Sequence, residues 1–160
     1  MGDVTPTTRF KGFYGNIKHS LDTKGRIAVP VKYRDGLGAT FMLTKGNDEC
    51  LVCYSLEEWD AIAERLDRIP VTDREGREFV RHVFGSAQDC EVDKQGRVNI
   101  NEDLRAYANL TKDVCFVGMR RYFEIWDTDR HKAASGRYDG HADILAEKMH
   151  KYLYGEAHGT

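Results

Sequence analysis

The sequence predicts an α+β, β-rich chain in which one small module occurs twice, flanked by helices. Three observations support this. The stretch Asp22-Thr23-Lys24-Gly25-Arg26-Ile27-Ala28-Val29-Pro30 returns as Asp93-Lys94-Gln95-Gly96-Arg97-Val98-Asn99-Ile100-Asn101, an offset of 71. With one inserted residue the match continues, Gly46 aligning with Gly118, Tyr54 with Trp126 and Ser55 with Asp127. Between these landmarks, short segments of alternating polar and apolar residues predict half-buried strands, and segments with 3.6-residue periodicity predict helices. Two copies are too few for a solenoid and suit a duplicated module whose halves complete one another.

Each element of the first copy has a local reason. Phe13 to Leu21 is extended in character and leads into Asp-x-x-Gly-Arg, where Asp22 can accept from backbone N–H groups two residues on and Gly25 can take a left-handed conformation. Arg26 to Val29 alternates as a strand, and a short helix follows from Val31 to Leu37. Thr40 to Thr44 and Leu51 to Tyr54 are strands joined around Lys45-Gly46-Asn47-Asp48. Ser55 and Glu58 have capping-box spacing. Trp59, Ile62, Ala63, Leu66 and Ile69 fall on one face of the next helix, which Pro70 closes. Thr72 and Glu75 begin another helix through Phe84, with Phe79, Val80 and Val83 as its apolar face.

The second copy repeats the pattern. Asn101 is a good N-cap, with Glu102 and Asp103 in the positively polarised first turn. Val114 to Val117 and Tyr122 to Trp126 are strands. Ala133 to Gly140 has loop composition, and His141 to Tyr154 predicts a final helix bearing Ile144, Leu145, Met149 and Leu153. The expected divisions are 16–59 and 87–130 for the two copies, 60–86 for connecting helices, and 131–160 for a helical tail.

Charge separates the copies. From Arg9 to Arg34 there are seven basic residues (Arg9, Lys11, Lys18, Lys24, Arg26, Lys32, Arg34) and one acid, Asp22, a local charge of +6. From Gln88 to Arg105 three bases face five acids, a local charge of −2. The whole chain carries only −2, so a nucleic-acid site rests on this uneven distribution. Phosphate contact needs Lys and Arg, and Arg can also give two hydrogen bonds to guanine O6 and N7. A β-ribbon is narrow enough for the major groove, and Arg26 directly follows a turn that would present it there. Arg26, Lys24, Lys18 and Arg34 are therefore the expected DNA contacts, with Arg9 and Lys11 flanking. The alternatives are a solvated charged face, or Arg26 paired with Asp22 to hold the turn. Asp22, Gly25, Asp93 and Gly96 are expected to build the turns, a carboxylate being repelled by phosphate, and Arg97 to serve the turn structure or a subunit interface rather than DNA contact.

Other chemistries find little support. Cys50 and Cys53 have metal-ligand spacing, but Cys90 and Cys115 do not supply a second close pair, and a strand at Leu51 to Tyr54 would turn the first two apart. The six histidines show no metal-binding spacing, and no phosphate loop or nucleophile–base pair stands out. The expectation is no enzyme, no cofactor, no metal and no small-molecule substrate. The N-terminal residues lack the basic and apolar regions of a signal peptide, and no apolar run approaches the roughly 18 residues of a membrane span, so a cytoplasmic protein is expected.

Asp-x-Lys-Gly-Arg-Ile-x-Val-Pro-x-x-Tyr-Arg at 22–34 resembles the signature of the MraZ family, as do Gly15 to Leu21 and Leu51 to Trp59. Asp93 to Arg97 and Val117-Gly118 to Trp126 resemble that family's second half. The resemblance covers roughly Phe10 to Arg130. It implies a duplicated AbrB-like swapped-hairpin β-barrel. It also implies a nucleoid-associated regulator of the division and cell-wall gene cluster, acting as a ring-like homo-oligomer on repeated short double-stranded DNA sites near its own promoter. The family's Asp-x-x-x-Arg motifs fall on Asp22/Arg26 and Asp93/Arg97. Asn101 in place of Pro30, and Gln95 in place of Lys24, set the second copy apart. An oligomeric interaction scaffold that binds no nucleic acid is the alternative.

Overall fold

In the computed structural model, residues 10–155 are described. The chain divides into two compact units, 1–128 and 129–160. In the first unit the order is β1 (Asn16–Ser20), β2 (Arg26–Ala28), α1 (Val31–Leu37), β3 (Thr40–Lys45), β4 (Leu51–Ser55), α2 (Leu56–Leu66), α3 (Arg74–Phe84), β5 (Gln88–Glu91), β6 (Arg97–Asn99), α4 (Glu102–Tyr107), β7 (Asp113–Gly118) and β8 (Phe123–Asp127). Helix α5 (Thr128–Asp139) starts at the boundary, and α6 (Ala142–Tyr154) lies within the second unit.

Six strands form one antiparallel sheet in the order β1-β7-β8-β4-β3-β5. The order is symmetric under exchange of the copies: β1 corresponds to β5, β7 to β3, and β8 to β4. Each copy's first strand is thus hydrogen-bonded to a strand of the other copy, Lys18 facing Cys115 and Phe41 facing Cys90. The remaining strands, β2 and β6, pair only with each other as a separate antiparallel ribbon. The architecture is α+β and β-rich, as expected. The closed barrel implied by the resemblance is not seen among the described strands: β1 and β5 are open sheet edges, and the ribbon is not continuous with the sheet.

One core lies beneath both copies. Phe13, Tyr33, Phe41, Leu43, Leu51, Leu104, Phe116, Phe123 and Ile125 are buried in it. Ile27 and Val98, directly opposed in the ribbon, are buried there too. Burying each contributes about 1.5–3 kcal/mol, which pins the ribbon's inner face. A one-residue slip would turn that face outward and bury Arg26.

Local chemistry explains most element ends. Ser55 Oγ accepts from the Glu58 N–H at 3.2 Å, and Asn101 Oδ1 from the Leu104 N–H at 2.9 Å. Three details differ from the sequence reading. Helix α2 ends at Leu66 rather than running to Pro70; the N–H groups of Arg68 and Ile69 bond three residues back instead, so Ile69 lies in a tightened turn. The N-cap of α3 is Asp73, which accepts from the Gly76 N–H at 3.0 Å; it competes better than Thr72 for that N–H by its position. Ala133 to Asp139 is helical, not loop: α5 is the second copy's counterpart of α2, and its alanines outweigh Ser135 and Gly136. In the second unit, α6 leaves Ile144, Leu145, Met149 and Leu153 exposed on the single chain.

Candidate nucleic-acid interface

The two Asp-x-x-Gly-Arg turns are built alike. Asp22 Oδ1 accepts from the N–H groups of Lys24 (2.9 Å) and Arg26 (2.8 Å), and Oδ2 accepts from Arg26 Nε (2.8 Å). Asp93 does the same with Gln95 (2.9 Å), Arg97 N–H (2.8 Å) and Arg97 Nε (2.9 Å). Each turn then closes through its glycine, at φ +80° for Gly25 and +76° for Gly96, where a side chain would be strained. Hydrogen bonds explain why both carboxyls stay below the usual carboxylate range: for Asp22 the Arg26 backbone N–H is the largest cause, for Asp93 that of Arg97. Both aspartates are thus turn-building anions.

Strand pairing sets what faces outward. In the ribbon Arg26 faces Asn99, Ile27 faces Val98, and Ala28 faces Arg97. With Ile27 and Val98 inward, the period-2 alternation places Arg26, Ala28, Arg97 and Asn99 on the outer face. The Nε edge of Arg26 is committed to Asp22, which orients the guanidinium and leaves its two Nη groups for a planar acceptor pair. Arg97 differs: besides Asp93, its Nη1 lies 4.0 Å from Asp22 Oδ2, so two carboxylates surround it.

The structure sorts the remaining expected residues. Lys24 is exposed at the tip of the first turn, beside Arg26. Lys18 is exposed on edge strand β1. Lys11 is exposed and shares a cleft of about 400 Å³ with Lys32, Tyr14 and Asp35. Arg9 lies outside the described residues. Arg34 is half-buried and stands apart from the first turn; its Nε donates to Val29 O at 3.0 Å, and its guanidinium lies over Gly96 of the second turn. Its charge, after burial, also lowers the pKa of His19 on β1.

Three further residues stand near the expected ones: Lys32 in the Lys11 cleft, Asn99 on the ribbon and Arg105 at the first turn. Lys32 was visible as charge only. Asn99 aligns with Ala28 in the repeat, and only the cross-copy register shows it opposite Arg26. Arg105, the counterpart of Arg34, lies over Gly25. The cysteines offer no competing chemistry: all four are buried, and burial pushes the Cys90 thiol up to about 12 and that of Cys115 to about 11. Among the described residues no group of three His, Cys, Asp or Glu is placed to hold a metal, and no helix is long and apolar enough to cross a membrane.

Comparison with known proteins agrees with this architecture. The family model described as "MraZ protein, putative antitoxin-like" matches twice, over residues 13–82 and 83–139. A protein of Acetivibrio thermocellus named "Transcriptional regulator MraZ" is 48% identical over 137 residues, covering 86% of this chain and 96% of the relative. Proteins of the same name from Ligilactobacillus salivarius and Alkaliphilus metalliredigens are 42% and 45% identical, each over 86% of this chain and over 96% and 93% of their own lengths. With two matches spanning most of its length, and relatives 42–48% identical over 86% of it, the chain belongs to the MraZ family.

Proposed function

We propose that the chain is a transcription regulator that binds double-stranded DNA in a sequence-specific way through the β2–β6 ribbon. The observation that carries this reading is the outward Arg26. It is oriented by Asp22, flanked by exposed Lys24, and mounted on a ribbon whose opposite face is locked into the core. Arg26 supplies a planar donor pair for a base edge, and Lys24, Lys18 and Lys11 supply phosphate contacts. The relatives' name, transcriptional regulator, supports the same reading.

The finer reading follows the family resemblance. The targets are repeated short sites upstream of the chain's own promoter, in the division and cell-wall gene cluster. One ribbon makes few contacts, so specificity requires several copies on adjacent repeats, which a homo-oligomeric ring supplies through avidity. The strand exchange between copies is what a swapped-hairpin ancestry would leave, even with the sheet open.

The test is a binding assay against the DNA just upstream of this gene and a scrambled duplex, at several salt concentrations. The expected result is preference for the upstream DNA, with affinity falling linearly in log–log form as salt rises. Equal binding to both duplexes at every salt concentration would contradict sequence-specific regulation.

A further inference from the structure

Each turn is covered by an arginine from the other copy. Arg105 belongs to the second copy, yet its guanidinium packs against Gly25 of the first: a Cβ built on Gly25 would stand 2.9 Å from Arg105 Cζ and Nε. Arg105 Nε donates to Ile100 O at 2.9 Å. Ile100 in turn donates its N–H to Gly25 O at 2.8 Å. Ile100 therefore links Arg105 and Gly25 through its two backbone groups, and the arginine lies over the glycine it indirectly holds.

The mirror arrangement is complete. Arg34, of the first copy, donates from Nε to Val29 O at 3.0 Å. Val29 N–H donates to Gly96 O at 2.9 Å. The Arg34 guanidinium occupies the space where a Gly96 Cβ would stand. Both glycines are buried although their turns are exposed. Positive φ already strains a side chain at such a position, and any Cβ there would also have to displace the guanidinium packed against the glycine.

We propose that Arg105 and Arg34 are positioning residues for DNA recognition, each holding the turn of the opposite copy, with Arg105 setting the presentation of Lys24 and Arg26. The inference rests on the DNA-binding reading above and moves Arg34 from the expected DNA contacts to a supporting role. The second copy, poor in net positive charge, then serves the basic turn by bracing it. Lysine cannot replace either arginine here: it lacks the planar group that both packs against the glycine and donates from Nε to the adjacent carbonyl.

The test uses the full-length, DNA-free protein and its operator complex. In Arg105→Lys, the Ile100 amide should exchange with solvent about tenfold faster while the Val29 amide is unchanged; Arg34→Lys should do the reverse. Arg105→Lys should also weaken binding to the upstream DNA about tenfold while scrambled-DNA affinity and the salt slope hold, since charge is kept. An unchanged Ile100 amide in Arg105→Lys would overturn the proposal, as would equal acceleration of both amides, which signals general destabilisation. A parallel loss on upstream and scrambled DNA would mark Arg105 as a phosphate contact and overturn it too. A wild-type protein with no preference for the upstream DNA overturns the proposed function and the recognition half of this inference, while the crossed exchange pattern still decides whether each arginine holds the opposite turn.

Discussion

The Arg97 guanidinium of the second copy lies 4.0 Å from the Asp22 carboxylate of the first, while its Nε is bonded to Asp93 at 2.9 Å. No such second carboxylate is near Arg26 among the described ion pairs. Two motifs identical in sequence pattern thus differ in electrostatics: Arg97 is compensated on two sides, Arg26 on one. Arg97→Ala should accordingly lower the melting temperature and leave operator affinity within about threefold of wild type, whereas Arg26→Ala should cost about 1–3 kcal/mol of operator binding. Equal loss of specific binding from both substitutions, with the fold intact, would show that both motifs contact DNA.

Tyr33 ties α1 to the chain leading into β1. Its ring packs on Phe13 and Phe123, and its hydroxyl donates to Tyr14 O at 2.8 Å. Tyr33→Phe should keep the packing and lose the bond, costing about 1 kcal/mol in urea denaturation. An unchanged midpoint would mean that water replaces the hydroxyl without cost.

Stability should depend on pH through His19. Burial first, and then the Arg34 charge, lower its pKa below the ordinary 6.5. A depressed folded-state pKa favours the neutral ring, so the contribution is complete above about pH 6.5 and is lost as pH falls toward the folded-state value. Denaturation at about pH 7.5 and about pH 5.5 should show the acidic sample to be less stable, and His19→Gln should shrink that difference. An identical pH difference in the variant would assign it to other groups.

The assembly is expected to be a homo-oligomeric ring larger than a dimer, because a single ribbon offers too few contacts for specific binding. Light scattering at micromolar concentration tests this directly; a stable monomer there would remove avidity from the account.

The sequence made the duplication, most strands and the turn chemistry legible, because these follow from local patterns: Asp22 and Gly25 announce the turn, Ser55 and Asn101 the helix starts. It also made Lys24 and Arg26 legible as a basic turn. What it could not show is which strand of one copy meets which strand of the other. That pairing is non-local, and it alone places Asn99 opposite Arg26 and Arg105 over Gly25. Arg34 illustrates the cost: near Arg26 in sequence and in charge, it lies at the other copy's turn. The helix at Ala133 to Asp139 was obscured by Ser135 and Gly136, although its alignment with α2 in the repeat pointed to it.

The proposed base-reading role of Arg26 sets distinct expectations for each variant. Arg26→Ala should cost about 1–3 kcal/mol of operator binding and relax preference at one position of each repeat. Lys24→Ala and Lys18→Ala, as phosphate contacts, should weaken all sequences alike and make the salt dependence shallower. The most direct measurement is the affinity of Arg26→Lys for upstream and scrambled DNA across a salt series. Lysine keeps the charge and loses the planar fork, so binding to scrambled DNA should persist while the preference for upstream DNA falls. Full retention of that preference by Arg26→Lys would contradict the account and make Arg26 a phosphate contact.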